Sequence, residues 1–263
     1  MLLFSIFGEP VTHSISPRLH NNALHDLHLN GCYVRQAIHD PSLLLTTFHA
    51  MQLDGANVTV PHKEVAFAQC DEIRGIAQNI GAVNTLVKEK HRVIGYNTDA
   101  EGFYKAIASF GAIRNALILG AGGTAKAIAM ILKFHGINTH ILNRSTSRLE
   151  YFKEYGFTCS TWENFEPLTY DLIINTTSAG LSDTQLPCPE PLLTALFSKA
   201  TYAFDVIYNK PTPFLTLARL ANLTCKDGKE MLLYQAVLAF DLFFHHTYDL
   251  NKVEASMRKA FEY

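Results

Sequence analysis

The chain has almost no excess charge: 22 Lys and Arg stand against 24 Asp and Glu, a formal net charge of −2. It therefore offers no broad basic field to nucleic acid or an anionic membrane, and any anion it binds must be held by local groups. No apolar run approaches the ~20 residues of a membrane span. Residues 1–8 lack a basic leader and run straight into Gly8-Glu9-Pro10. This start reads as a buried strand rather than a signal peptide, and a cytoplasmic protein is expected. The 5 cysteines, Cys32, Cys70, Cys159, Cys188 and Cys225, are scattered and form no Cys-x-x-Cys pair, which argues against disulfides and a zinc site. The 12 histidines do not make up a ligand set either, whether His20, His25 and His28 or the adjacent His245-His246, so no metal is expected. No internal repeat or low-complexity linker is present.

What the chain does have is core material: 48% of its 263 residues are hydrophobic and only 17% charged. That length suits two domains. In the first hundred residues, short apolar runs at 2–7, 31–36, 55–60, 82–88 and 92–96 alternate with helical spacing at 17–27, 41–51 and around 64–69. The pattern predicts an α/β domain with a mainly parallel sheet. A helix over 100–110 leads into a second alternation, with strands at 116–119, 138–142, 171–175 and 202–206 and helices near 124–135, 147–155 and 191–198. Two further helices, 231–244 and 252–260, come after that sheet is complete and are expected to return to the first domain. The expected division is therefore residues 1–100 plus 236–263 against residues 101–235, with a cleft between the domains and hinges near 99–102 and 228–231.

The second alternation opens at Leu119-Gly120-Ala121-Gly122-Gly123-Thr124-Ala125. A strand that ends in closely spaced glycines and passes into a helix presents bare backbone N–H groups to a phosphate, the layout of a Rossmann dinucleotide site. A tight strand-to-helix turn needs similar glycines for conformational reasons alone.

The first domain carries polar clusters where its elements end. Ser14-Ile15-Ser16-Pro17 sets two hydroxyls on one side of an extended segment ahead of a Pro-started helix, where Ser16 also suits the role of helix N-cap. Asn57-Val58-Thr59-Val60-Pro61-His62-Lys63 places an amide, a hydroxyl and a cation past a strand. Gly81-Ala82-Val83-Asn84-Thr85 and Gly95-Tyr96-Asn97-Thr98-Asp99 add amides, hydroxyls and a carboxylate. Each alone is ordinary turn chemistry. Together they suit a polyhydroxylated acid bound at the carboxyl ends of strands.

With Gly-Ala-Gly-Gly, Asn-Arg-Ser-x-x-Arg from Asn143 to Arg148 and Gly-x-x-Met-Leu-x-x-Gln from Gly228 to Gln235, these motifs stand in the order and at the spacings of one family. The chain resembles a shikimate dehydrogenase over nearly its full length. The resemblance implies NADP as cofactor and reversible reduction of 3-dehydroshikimate to shikimate. It implies that Ser14 and Ser16 bind the substrate carboxylate and that Thr59, Asn84, Asp99 and Gln235 contact its hydroxyls. It makes Lys63 the catalytic lysine beside Asp99, puts Tyr208 on the substrate side, and sets Ile207 and Gly228 near the nicotinamide.

Residue chemistry agrees with this. A ketone that accepts hydride develops negative charge on oxygen, which a positioned lysine ammonium stabilises. Whether Lys63 transfers the proton itself or mainly positions the substrate stays open at this point. Where an NAD enzyme carries an acidic residue for the ribose hydroxyls, this chain has Asn143, Arg144, Ser145, Thr146 and Arg148, a set suited to a 2′-phosphate. The loop with Thr176 and Ser178 follows the next strand and is expected on the cofactor rim. Relatives often have an acidic residue at Gly75, so no cofactor contact is carried over there.

Three other readings stand beside this one. An NAD-preferring quinate/shikimate dehydrogenase would place an acidic residue after Arg144. A non-catalytic NADP-binding module would not need Lys63 and Asp99. A folate-pathway dehydrogenase of similar plan would leave Ser14, Ser16 and the Asn/Thr clusters without a purpose. The partners expected are small molecules, with no nucleic acid or membrane, and the chain is expected to be a monomer or homodimer.

Overall fold

The computed structural model describes residues 1–208 and 210–262. They form two compact units, Met1–Phe103 with Leu232–Tyr263, and Tyr104–Met231. Both boundaries fall inside helices, Asp99–Ala106 and Lys229–Phe243.

The first unit is built on β1 (Leu2–Gly8), β2 (Gly31–Ala37), β3 (Gly55–Val58), β4 (Glu72–Ile73), β5 (Thr85–Glu89) and β6 (Arg92–Tyr96), in the order β2-β1-β3-β5-β6-β4. Only β5 runs against the rest, because it pairs antiparallel with both β3 and β6 while the other pairings are parallel. β1 lies between two strands and is nearly continuously apolar, as a strand covered on both faces must be. Side chains alternate across it. Phe4 and Ile6 join a core with Leu233, Val237, Phe240 and Phe243 of helix Lys229–Phe243 and Val253 and Met257 of helix Leu250–Arg258. Phe7 on the opposite face packs with Phe48, Val58 and Leu86. The end of the chain thus completes the first unit's core.

The second unit holds β7 (Asn115–Leu119), β8 (Asn138–Asn143), β9 (Thr158–Thr161), β10 (Leu172–Asn175), β11 (Tyr202–Asp205) and β12 (Thr224–Lys226). All pairings are parallel, in the order β12-β11-β10-β7-β8-β9. Counted within the unit, this is the doubly wound 3-2-1-4-5-6 sheet, whose order reverses beside β7.

Some boundaries differ from those the sequence suggests. The strand expected over 55–60 stops at Val58. The one expected from residue 82 begins at Thr85, because Val83 N–H is already donated to the Lys63 carbonyl at 2.9 Å. β4, β9 and β12, short and without an apolar run, are not among the expected strands. Helix Pro213–Leu220 carried a local signal in Thr212-Pro213: the Thr212 hydroxyl accepts from Leu215 N–H at 3.2 Å.

Candidate active site

In the first unit the polar clusters gather at one end of the sheet. β1, β3 and β6 finish there and the reversed β5 begins there, as the pairs Asn57↔Thr85 and Thr85↔Tyr96 show. Loops at this end are tied together. Thr59 N–H donates to Phe7 O at 2.8 Å and Glu9 N–H to Val60 O at 3.2 Å, so the loops after β1 and β3 lie side by side. Gly8 is required at this approach, since a Cβ on it would stand 2.4 Å from Thr59 Cγ2.

Lys63 opens helix Lys63–Gln69 and Asp99 opens helix Asp99–Ala106. Their side chains meet as an ion pair, Nζ to Oδ2 at 2.6 Å, with only 15% and 11% of the side chains exposed. A carboxylate at a helix N-terminus is favoured by the exposed N–H groups there. Asn97 fixes this start: its Oδ1 accepts from Asp99 and Ala100 N–H at 3.1 and 3.3 Å, while its Nδ2 donates to Ala82 O at 3.0 Å. The ammonium keeps two further N–H groups for an oxygen ligand.

Asn84 is held just before β5. Its Oδ1 accepts from Thr98 N–H at 2.8 Å and from the Thr85 hydroxyl at 2.9 Å, and its Nδ2 donates to Thr98 Oγ1 at 3.0 Å. Ser14 and Ser16 are both buried, and the Ser14 hydroxyl donates to Ser16 Oγ at 3.2 Å. Ser16 is the first helical residue rather than the N-cap; that position belongs to Ile15, which has no capping side chain, and the Ser14 hydroxyl accepts from Ser16 N–H at 3.3 Å. The Ser16 hydroxyl is thus not spent on capping. Arg35 steadies the loop, donating from Nε and Nη2 to Ser14 O at 2.9 and 2.6 Å. Gln235 comes from the far end of the sequence. It reaches the Asp99 helix because residue 102 is Gly: a Cβ there would lie 2.8 Å from Gln235 N. Gln235 is 7% exposed.

In the second unit the glycine turn lies between β7 and helix Gly123–Phe134. Gly120 has φ +108°, and a Cβ on it would lie 2.7 Å from Thr176 Oγ1, so side chains are excluded there on both counts. Ala121 is buried behind the turn. Gly122 and Gly123 have nothing within 4 Å of a Cβ position, and no side chain caps the helix. The first turn, through Thr124 and Ala125, has no acidic residue. Its N–H groups are thus open to an anion.

Past β8, Asn143 Nδ2 donates to Ser145 O at 2.9 Å, which shapes the turn into the short helix Thr146–Arg148. Arg144 and Arg148 are exposed, as are Ser145 and Thr146, and neither guanidinium has a hydrogen bond or ion pair among the described residues. Thr176 is fastened by its hydroxyl to Leu119 O at 2.8 Å, and Ser178 is exposed on the same loop. Asp205, fully buried, fixes the neighbouring segment. It accepts from Thr212 Oγ1 at 2.6 Å, Asn175 Nδ2 at 3.1 Å and Ile207 N–H at 3.1 Å. Burial is the main influence on its carboxyl and pushes the pKa up. Ile207 O accepts from Gly228 N–H at 3.1 Å, and a Cβ at Gly228 would stand only 2.1 Å from Val206 O. Burial also raises the Tyr208 phenol, which keeps it a hydrogen-bond donor.

The first unit therefore brings Ser14, Ser16, Thr59, Lys63, Asn84, Asp99 and Gln235 onto or against one sheet end. The second carries the glycine turn, Asn143 to Arg148, Thr176, Ser178, Ile207, Tyr208 and Gly228. Sequence reasoning does not reach the supporting residues Arg35 and Asp205: Arg35 meets Ser14 from 21 residues away, and nothing local marks Asp205 as a buried carboxylate. Asn57, Thr85, Asn97 and Thr98 stood inside the motifs, a signal without an assignment. Among the described residues, no group of three or more His, Cys, Asp or Glu is placed to hold a metal ion.

A doubly wound sheet with an open phosphate turn and a separate lysine–aspartate pair define a class, the nicotinamide-dependent oxidoreductases. Comparison with known proteins narrows it. The shikimate dehydrogenase substrate binding domain matches residues 6–86. A shikimate dehydrogenase (NADP(+)) of Helicobacter hepaticus is 51% identical over 98% of this chain and 97% of that protein. The one from Helicobacter pylori strain 26695 is 42% identical over 98% of both. The crystal structure of shikimate 5-dehydrogenase from Thermus thermophilus in complex with NADP(H) and shikimate superposes with a TM-score of 0.85 at 35% identity, covering 99% of this chain and 100% of that one. The chain belongs to the shikimate dehydrogenase family.

Proposed function

We propose that this protein interconverts shikimate and 3-dehydroshikimate with NADP(H), in the biosynthetic route to aromatic amino acids. The unit Met1–Phe103 with Leu232–Tyr263 binds the substrate, and the unit Tyr104–Met231 binds the cofactor. The observation that carries the reading is the largely buried Lys63–Asp99 pair, at 2.6 Å, on the sheet end that also holds the serine and asparagine groups.

The second unit fits NADP on its own geometry. The bare backbone at Gly122 and Gly123 suits a pyrophosphate, and the unpaired Arg144 and Arg148 suit a 2′-phosphate. When bound, NADPH supplies the hydride. The protein's residues do the rest. Ser14 and Ser16 take the carboxylate, and Thr59, Asn84 and Gln235 orient the hydroxyls. Lys63, aligned by Asp99, hydrogen-bonds the carbonyl oxygen, stabilises its growing negative charge and stands at the atom that gains a proton. In the oxidative direction the same ammonium lowers the cost of the alkoxide.

Among the described residues no helix is long and apolar enough to cross a membrane. We place the activity in the cytoplasm, with small-molecule ligands, no nucleic-acid or membrane partner, and a monomeric or homodimeric chain. The test is a spectrophotometric assay of NADPH formation with shikimate, run beside quinate and NAD. Absence of NADPH formation with shikimate refutes the reading. Faster turnover with quinate and NAD moves the protein to the quinate/shikimate branch.

A further inference from the structure

At the sheet end that holds Lys63 and Asp99, a chain of buried hydrogen bonds leads from β2 to Asn84. It begins at Tyr33 in β2, whose ring stacks on His20 with centroids 4.2 Å apart and planes 6° apart. Tyr33 is 1% exposed. Asn21 secures its backbone from both sides, accepting from Tyr33 N–H at 2.8 Å and donating to Tyr33 O at 2.9 Å. The Tyr33 hydroxyl donates to Asn57 Oδ1 at 2.7 Å. Asn57 Nδ2 faces the other way, donating to the Asn84 carbonyl, an acceptor only, at 3.2 Å and to Thr85 Oγ1 at 3.1 Å.

Direction then propagates. A hydroxyl has one proton. Thr85 Oγ1, accepting from Asn57, spends its proton on Asn84 Oδ1 at 2.9 Å. The Thr98 N–H takes the second acceptor site of the same oxygen at 2.8 Å, and Asn84 Nδ2 donates one hydrogen to Thr98 Oγ1 at 3.0 Å. Asn57, Asn84, Thr85 and Thr98 are all at least nine-tenths buried, so water does not scramble these choices. With its carbonyl oxygen saturated, Asn84 has a single N–H left to offer.

We propose that Tyr33 is a positioning residue for the reaction: through Asn57 and Thr85 it steadies the Asn84 carboxamide, whose direction the Thr98 N–H sets, so that Asn84 meets the substrate as a hydrogen-bond donor, to a hydroxyl that accepts. This rests on the proposed function for its substrate but not for its hydrogen-bond direction. His20 supplies a flat, neutral surface that holds the Tyr33 ring in place.

The experiment removes one oxygen. Tyr33→Phe leaves Asn57 Oδ1 buried without its donor, which loosens the Asn57 carboxamide and, through Thr85, the seat of Asn84, while the Thr98 N–H still holds the Asn84 oxygen. The KM for shikimate should rise roughly three- to tenfold, as for loss of one hydrogen bond, with the KM for NADP unchanged and kcat lowered less than about threefold. In an Asn84→Ala background the same substitution should have almost no effect, because its route to substrate is gone. The Asn84 side-chain amide signals in ¹⁵N spectra should shift in Tyr33→Phe without any ligand. Thr85→Val breaks the chain at its third member and should reproduce all three results, so the test stands even if Tyr33→Phe folds poorly. An undiminished Tyr33→Phe effect in the Asn84→Ala background, parallel loss of NADP affinity, or unmoved Asn84 amide signals would overturn the proposal. Absence of shikimate oxidation by the wild-type protein would instead strike the proposed function, and the amide signals would still judge the relay.

Discussion

Acid should weaken the first unit through one histidine. His20 is 1% exposed, packed between Tyr33 and Phe240 at ring distances of 4.2 and 6.2 Å, and its Nε2 has no hydrogen-bond partner among the described residues. Burial alone drives its imidazole from the ordinary 6.5 down to about 3. The unfolded chain therefore takes up a proton near pH 6.5 that the folded chain refuses until about pH 3. Between those values the unfolded state binds more protons, so stability falls as the pH is lowered and is fully retained only above the unfolded pKa. From pH 7 to pH 5 the loss is about 2 kcal/mol, from 1.36 kcal/mol for each pH unit below the unfolded value. His20→Phe keeps the ring stack and removes the titration. Urea unfolding followed by circular dichroism at both pH values gives the comparison. The single tryptophan, Trp162, lies in the second unit and reports on that unit separately. The variant should lose about 2 kcal/mol less than wild type over this interval. Equal losses in the two proteins would mean that His20 is protonated in the fold, and the burial argument would fail.

Three variants test the sites themselves. Lys63→Ala should lower turnover by at least about a hundredfold, the scale of a positioned acid–base group, while NADP affinity measured by fluorescence titration stays within about twofold; retained turnover would remove Lys63 from the chemistry. Replacing both Arg144 and Arg148 with Ala should raise the KM for NADP by roughly ten- to a hundredfold, the worth of a charge-assisted contact, without changing the KM for NAD; an equal loss for both cofactors would refute 2′-phosphate recognition. Gly102→Ala puts a methyl 2.8 Å from Gln235 N. It should raise the KM for shikimate and leave NADP binding intact, and an unchanged KM would show that Gln235 is not placed by this contact.

Much of this protein is readable from local chemistry. The apolar run of β1, the glycine turn and the serine, asparagine and lysine clusters each declare their kind within a few residues, because strand periods, turn conformations and phosphate-binding backbone are local properties. The absence of an acidic residue from 143 to 149 is equally local, and with two arginines it points to a phosphorylated ribose. Resemblance then joined seven weak motifs into one family. β4, β9 and β12 escaped because Glu72–Ile73, Thr158–Thr161 and Thr224–Lys226 are short and carry no apolar run, unlike the equally short β10.

Tertiary structure decided what those pieces do to one another. The reversal of β5 brings Asn84 to the end where β1, β3 and β6 finish, and no spacing in the sequence encodes that reversal. The 2.6 Å meeting of Lys63 and Asp99 joins residues 36 apart, and Gln235 reaches the Asp99 helix only because Gly102 has no side chain. Ser16, a good N-cap by type, is released from capping by the position of the helix start. Tyr33, unremarkable in the sequence, becomes the origin of a polar chain because β2 and β3 flank the same strand. The sequence by itself determined which groups exist and what ligand chemistry suits them, since donor, acceptor and charge belong to the residue. Only the packed fold decided their direction, because a hydrogen bond's orientation is fixed by what surrounds it once water is excluded.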